Sequence, residues 1–334
     1  QIHNLPGAGV DNPMKADLII QNGDTIYYPV IEEGITLDWE RKGSPGKLKF
    51  SCIKDDALYF QEGNAVKLAV DGTDLFYGFV FTKSRSGKSP YLIEVTAYDQ
   101  LRYFKNKDTY VYSNKKANEV IEMLAEDFGL NVGMLEDTGY VIASRSEDNA
   151  TLFDIVQNAL DETLQAKTQL YVLYDDVGKL TLKNIENMKL DLLIDADTIG
   201  DYSYSSTIDS QTYNQVKISF ENKNTGKREI FIAKDSANIN AWGLLQYTDT
   251  VELSASGAAK AEALLKLYNT ITRSLSVSDA LGDIRVRAGS SVIVMLALGD
   301  INIQSYLLVE RVTHKFRQNQ HLMDLKLRGG TFVS

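Results

Sequence analysis

The sequence predicts a β-rich α+β fold: two similar β-barrel domains, a small α+β domain between them, and a helix inserted in the second barrel. Three observations predict it. One three-strand pattern is written twice, in residues 63–97 and again in residues 289–327. The apolar period changes from two to that of a helix after residue 99, and strands return from about residue 200. At 334 residues the chain exceeds what one hydrophobic core usually organises.

Residues 1–16, beginning QIHNLPGAGVDNP, show no periodicity. They are expected to be a disordered or expression-derived leader, with Met14 as the natural start. The first barrel is placed at 17–104. Residues 18–21 and 25–30 flank Asn22-Gly23, the strongest short hairpin signal. Residues 34–40 and 47–53 flank a second turn between Arg41 and Gly46. Val66, Leu68 and Val70 then alternate with Ala65, Lys67 and Ala69, the pattern of a half-buried strand. A turn at Asp71-Gly72 leads to a strand over 75–83. A break between Ser86 and Pro90 leads to another over 91–97, with Tyr91, Ile93, Val95 and Ala97 on one face. That makes about seven strands, the count of a small barrel or sandwich.

The α+β domain is placed at 105–197. Val120, Ile121, Leu124 and Phe128 predict a helix over 115–128, with Asn114 as N-cap and Gly129 as its stop. Leu152, Ile155, Val156, Ala159 and Leu160 predict another over 151–167, opened by Thr151-x-x-Asp154. Residues 170–174 and 179–183 form a hairpin around Asp175 to Gly178.

The second barrel is placed at 198–334. Residues 215–221 and 228–233 flank a polar loop, and a helix is predicted over 257–273 from Ala261, Leu264, Leu265, Tyr268 and Ile271. Short strands follow at 275–278 and 284–287. Then the opening pattern recurs. Gly289 stands where Gly63 stood, Val292 where Val66 stood, and Leu298-Gly299-Asp300 turns the chain. A long strand over 306–316, a polar loop over 317–320 and a return over 321–327 complete the copy, with Met323, Leu325 and Leu327 on one face.

Composition narrows the function classes. One Cys excludes an internal disulfide. The net charge of −10 is spread along the chain, without the basic patch of a nucleic-acid binder. No apolar run approaches the ~20 residues that span a bilayer. Histidine occurs only at 3, 314 and 321. A symmetric closure of the last hairpin sets Phe316 opposite His321 and Met323 opposite His314. The imidazoles then lie diagonally on one face. A two-histidine metal site is the sharp reading. That face also carries Leu308, Val312, Phe316, Met323, Leu325 and Leu327, with Glu310 as its one acid, so core or rim histidines are the better reading. Cys52 shares a face with Leu48 and Phe50 and reads as a small buried hydrophobe. Asp55-Asp56 and Asp175-Asp176 fall in turns, where Asp is favoured locally. Asp195-x-Asp197-x-x-Gly200 departs from a calcium loop at Ile199 and Ser206. Gly43 to Lys47 has neither the spacing nor the following helix of a phosphate loop. Trp39 and Trp242 make no sugar-stacking ladder. No catalytic, cofactor-binding or metal residue is therefore assigned. An acid-pair glycosidase hidden among 45 acids is the least excluded enzyme.

Residues 95–130 (VTAYDQLRYFKNKDTYVYSNKKANEVIEMLAEDFGL), 286–294 (VRAGSSVIV) and 307–327 (LLVERVTHKFRQNQHLMDLKL) resemble the XkdQ/YqbQ-type proteins of PBSX-like prophages. The resemblance runs from about residue 16 to 327. Ala97-Tyr98-Asp99 and Val312-Thr313-His314 are its most distinctive marks. That family resembles the baseplate hub of contractile phage tails and of phage-tail-like bacteriocins. The resemblance implies a structural protein that forms a homotrimeric ring and joins the tail tube to the central spike. The partners it implies are the tail tube protein, the spike protein and LysM-type or other baseplate proteins. A tape-measure protein or DNA would pass through the lumen without specific binding. Assembly would occur in the bacterial cytoplasm, with the product carried in the virion or tail-like particle and no membrane insertion. The resemblance carries over no catalytic residue and no cofactor, although some members are loosely called hydrolases. A tail-associated peptidoglycan hydrolase or a wall-binding module remains the alternative. Two like units per chain, three chains to a ring, give six similar units that can meet a six-fold tube and a three-fold spike. Three copies would carry −30, so an acidic or neutral bore that lets a polyanion slide is expected.

Overall fold

The computed structural model describes residues 14–299 and 302–329. The expected leader before Met14, His3 and Asp300 of the last turn lie outside the described residues. Seven strands open the chain: β1 (Ala16–Asn22), β2 (Thr25–Tyr27), β3 (Ile31–Glu40), β4 (Lys47–Ile53), β5 (Ala65–Val70), β6 (Thr73–Ser86) and β7 (Ser89–Tyr98). An α+β segment follows: β8 (Lys107–Lys116), α1 (Ala117–Asp127), β9 (Val132–Leu135), β10 (Val141–Thr151), α2 (Leu152–Lys167), β11 (Tyr171–Asp176) and β12 (Lys179–Asn184). Next come β13 (Lys189–Asp195) and β14 (Asp201–Thr207). A second segment holds β15 (Gln215–Glu221), β16 (Arg228–Lys234), α3 (Ser236–Trp242), β17 (Gln246–Thr250) and α4 (Gly257–Tyr268). The chain closes with β18 (Thr272–Leu281), β19 (Ser291–Ala297), β20 (Asn302–Arg317) and β21 (Gln320–Gly329).

Local chemistry accounts for most boundaries. Asn22 pairs with Thr25 across the Asn-Gly turn, with Gly23 at φ +60°. Thr151 Oγ1 accepts from the Asp154 amide and caps α2. Two helix ends differ from expectation. The cap of α1 is Lys116 and not Asn114, because Lys115 and Lys116 still pair with Ile142 and Val141 in the β8–β10 ribbon. The last helix stops at Tyr268 and not at residue 273. Its final carbonyl is taken by the Tyr213 amide, and the β-branched run Thr270, Ile271, Thr272 then extends into β18. Residues 284–287 form no strand; Val286 N bonds Asp283 O in a turn.

Thirteen strands make one sheet, in the order β14-β18-β21-β20-β3-β4-β7-β6-β5-β1-β2, with β19 also on β20 and β13 on β19. The order β3-β4-β7-β6-β5-β1 in the first half is repeated by β14-β18-β21-β20-β19-β13 in the second. Register and irregularities repeat too. Gly63 N donates to Val80 O and Val80 N to Asn64 O; Gly289 N donates to Val309 O and Val309 N to Ser290 O. The β6–β7 ladder slips between Val80 and Thr82, and the β20–β21 ladder between Val309 and Arg311, its counterpart. One pairing differs in sense: β1 runs antiparallel to β5, whereas β13 runs parallel to β19.

In place of the expected two barrels, the described residues form one continuous large sheet, and among them no sheet closes on itself. The cause lies in β20, which is 16 residues long. Its first part, to Leu308, pairs with β19, and its second part, Arg311 to Phe316, pairs along the same edge with β3. The first half thus continues the sheet of the second. Both also share one core, in which Leu37, Leu48, Val66 and Phe76 pack in the same cluster as Val292, Val294, Val312 and Leu327.

The two inserted segments keep cores of their own. In the first, Val120, Ile121 and Leu124 of α1 meet Leu152, Ile155 and Ala159 of α2 over β11 and β12. In the second, β15 pairs with β16 and β17 in a separate three-stranded sheet under α4, with Val216, Ile218, Ala261 and Leu264 inside. The strands expected at 215–221 and 228–233 therefore form, but outside the large sheet. Helix α4 packs on that small sheet and touches α2. Among the described residues no helix is long and apolar enough to cross a membrane.

Candidate functional site

Two joints between the units carry buried or partly buried charged side chains. The first is the seam between β3 and β20. Arg311 Nε and Nη2 donate to the two Asp38 oxygens at 2.9 and 2.6 Å, and Thr313 Oγ1 donates to Asp38 Oδ1 at 3.0 Å. Arg41 Nε donates to Glu310 Oε2 at 2.8 Å, and the Arg41 amide to Glu310 O at 2.9 Å. A forked arginine–carboxylate pair fixes relative orientation as well as distance, which suits a seam that sets two halves in register.

Three units meet at the second joint. The Arg287 guanidinium lies 4.0 Å from the Trp39 ring centre and 4.5 Å from that of Tyr174. Trp39 belongs to the first half, Tyr174 to the first inserted segment, and Arg287 to the second half. Buried Asp99 accepts from the amides of Gly46 at 2.9 Å and Leu101 at 3.0 Å. Buried Asp175 accepts from Gln100 Nε2 at 2.7 Å and from the Gly178 amide at 2.9 Å. Burial and the neighbouring Asp175 push the Asp99 carboxyl well above the usual range, and burial likewise raises Asp175. Burial pulls the Arg287 guanidinium below its usual value, against the attraction of Tyr174 and of Asp176, Asp99 and Asp175. The whole group is an electrostatic staple.

The two histidines sit in the hairpin β20–β21 with the predicted partners: His314 opposite Met323 and Phe316 opposite His321. His314 Nε2 lies 2.7 Å from Val286 O, and its Nδ1 lies 2.8 Å from His321 Nε2. A carbonyl can only accept, so His314 donates from Nε2, and its Nδ1 accepts from His321 Nε2–H. Both His314 nitrogens are therefore used, which leaves it no lone pair for a metal. Burial, then the neighbouring His321, hold His314 at about 3, and burial holds His321 at about 4.

The sign of the pH effect follows. The folded values lie below the ordinary 6.5, so the unfolded chain binds more protons. Stability is complete above about pH 6.5 and declines as pH falls toward the folded values. His314 alone should cost about 2 kcal/mol by pH 5. Urea melts of the parent and of His314→Gln from pH 8 to 5 measure the effect as a difference, because Asp99 and Asp175 pull the other way in both chains: the parent should lose about 2 kcal/mol more than the variant. His314→Ala should lower stability by roughly 1–3 kcal/mol. An unchanged slope in His314→Gln would remove the histidine pair as its cause.

A family model described as YQBQ-like matches residues 35–328. The chain belongs to the YQBQ-like family. The phage-like element PBSX protein XkdQ of Bacillus subtilis (strain 168) is 28% identical over 312 residues, 90% of this chain and 94% of that one. The prophage MuSo2 43 kDa tail protein from Shewanella oneidensis shares the fold with a TM-score of 0.68 at 13% identity, over 93% of this chain and 98% of that one. The E. coli c3393 protein, a component of the type VI secretion system, has a TM-score of 0.58 at 10% identity, over 95% and 78%. The fold of this YQBQ-like chain is that of phage tail proteins.

Four residues of the family-like stretches fall on the joints or beside them. Asp99 of Ala97-Tyr98-Asp99 and Arg287 of the 286–294 stretch belong to the staple; Thr313 and His314 belong to the seam and the hairpin behind it. The remaining candidates do not converge. Cys52 is buried in β4, and burial pushes its thiol up to about 11. Asp55 accepts from the amides of Ala57 and Leu58, a local turn. Asp195 accepts from the Asp197 amide and caps a short helical turn. Among the described residues no three His, Cys, Asp or Glu side chains gather as a metal site. Sequence reasoning missed two roles. Asp175 does make its turn bond to Gly178, but its other oxygen holds Gln100. Gly46, set aside as part of a failed phosphate loop, leaves room for Asp99, since a Cβ there would lie 2.3 Å from Asp99 Oδ2.

Proposed function

We propose that this YQBQ-like chain is a non-enzymatic hub protein of the baseplate of a contractile phage tail or tail-like particle, built as a trimeric ring between tail tube and spike. The observation that carries the reading is the repeated six-strand order with its repeated slip and glycine bonds. A chain with two like halves supplies six like units from three copies, the number that reconciles a six-fold tube with a three-fold spike. The seam and the staple fit the same role, since both lock the halves and the first insert as one body that can bear load. The large sheet forms the ring wall, and the segments 99–188 and 208–271 stand as two appended domains. The bore is acidic or neutral, so that a tape-measure protein or DNA slides through. The chain assembles in the bacterial cytoplasm and then resides in the particle.

The test is the mass of the purified chain by light scattering, alone and mixed with its tube protein. A three-chain species in either condition is expected. A strict monomer in both, or a two-fold species, would overturn the ring.

A further inference from the structure

We infer that copies of this chain join edge to edge, the free outer edge of β14 in one copy adding to the unpaired upper segment of β6 in the next. This deepens the ring reading and rests on it for the number of copies. The argument begins with what the duplication fills and what it leaves open. In the second half, the upper part of β20 carries β3 on the edge that β19 vacates after Leu308. In the first half, β5 likewise leaves β6 after Phe79, and past the Val80 bonds no strand among the described residues pairs with that edge. The counterpart of β3 is β14: Leu37 and Tyr204 stand opposite Leu48 and Leu275, which in turn face Ala97 and Leu327. β14 pairs with β18 on one side and with no described strand on the other. The chain thus holds one filled socket and plug, β20 with β3, and one empty pair of the same kind, β6 with β14.

Burial agrees. β3 is buried at Ile35, Leu37 and Trp39, whereas none of β14 is buried, and Tyr202 is 45% exposed. On β6 the residues Thr82, Ser84, Arg85 and Ser86 are exposed, where Val312, His314 and Phe316 of β20 are buried. A seven-residue edge strand without proline, lysine or a cover is the form that natural sheets protect unless it pairs. Within one chain the pair stays open, since β6 and β14 lie at separate places along the sheet and do not pair. A second copy supplies the partner through a head-to-tail contact, the kind that closes into a ring.

The seam also gives the register. Val312 faces Trp39, Thr313 faces Asp38 and His314 faces Leu37. The corresponding antiparallel pairs between copies are Lys83 with Ser206, Ser84 with Ser205, and Arg85 with Tyr204. Arg85 then lies between Tyr204 and Tyr202 on one face, in reach of both rings. Charge favours the match, since the β6 segment carries Lys83 and Arg85, while β14 carries Asp201 and no base. Lys83 is partly engaged already, its ammonium donating to Phe60 O, which leaves Arg85 as the cation that β14 meets.

The experiment uses the full chain with Ser84→Cys and Ser205→Cys together, oxidised and run on a non-reducing gel beside each single variant. Directly opposed strand residues bring Cα atoms within the span a disulfide needs. The double variant should give covalent multimers ending at a closed three-chain product, and neither single variant should give a ladder. A ladder that ends at another number would uphold the edge pairing and remove the three-fold ring. An oligomer by light scattering without cross-links would keep a ring and overturn the edge pairing. A chain that stays monomeric and un-cross-linked overturns the edge pairing outright. Ser206→Pro provides the second reading. Ser206 corresponds to Trp39, on the register whose amides point across the seam, so proline removes an outward donor from a solvent edge where proline is tolerated. It should leave the melting of the monomer nearly unchanged while abolishing the oligomer; an oligomer of unaltered mass overturns the inference.

Discussion

Arg287→Ala should be among the most damaging single substitutions in this chain, costing about 3 kcal/mol or more. The guanidinium is held between Trp39 and Tyr174 and is the cation that faces buried Asp99 and Asp175. Its removal leaves two carboxyls without their compensating charge, and breaking a buried ionic group from one side costs roughly 3–5 kcal/mol. The loss has its own pH signature. Asp99 and Asp175 have folded values raised above the unfolded one, so lowering the pH through the folded values protonates them in the folded chain and relieves the strain. The deficit of the variant against the parent should therefore shrink as the pH is lowered from neutrality. The histidine pair works in the opposite direction in each chain, and because Arg287 is one of the charges that lower His314, its removal eases that acid loss, so this contribution also narrows the deficit as the pH falls. Thermal melts of both proteins from neutrality downward measure it. A deficit that stays flat with pH would reduce Arg287 to a packing role. Limited proteolysis adds a structural readout, since the first inserted segment should be released sooner when the staple is cut.

Why some of this was legible in the sequence, and some not, follows from burial. Strands β4 to β7 and β19 to β21 each bury one face, so Val66, Leu68, Val70 and Val292, Val294, Leu296 announce both the period and the repeat. β14 reads DYSYSST and buries neither face, so it left no alternation to find. The ribbon β8–β10 is similarly polar, with Tyr112, Ile142 and Glu147 as its buried residues, and it left no strand pattern to read. Closure was misjudged for another reason. Alternation says which face of a strand is wet but not which edges meet, and the whole difference between two barrels and one continuous sheet lies in the upper half of β20. The staple was out of reach of local reading altogether. Asp99, Asp175 and Arg287 come from three remote stretches, and only the recurrence of Asp99 and Arg287 within the family-like segments hinted that they matter.

Gly34→Ala should open the seam, and its cost should far exceed that of the same change at Gly23. Both glycines have positive φ, +93° and +60°, so both variants bear the strain of an L-residue in that region, about 1 kcal/mol. Their surroundings differ. A Cβ at Gly23 meets nothing within 4 Å, whereas at Gly34 it would lie 2.5 Å from Phe316 O and 3.2 Å from Arg317 Cβ. Phe316 O is backbone of β20, so no side-chain rotation can relieve the clash; β3 must back away from β20. That separation stretches the Ile35–Phe316 and Leu37–His314 pairings and pulls Asp38 from the fork of Arg311. It also exposes a core that both halves share, so the penalty is not confined to the seam. A total of roughly 3 kcal/mol or more is expected at Gly34 against about 1 at Gly23. Hydrogen exchange locates the damage: amides of β3 and of the upper part of β20 should lose protection in Gly34→Ala, while those of β5 and β19 keep it longer. Equal costs at the two glycines would mean that β3 and β20 separate freely, and the two halves would then be independent bodies joined by a loose edge.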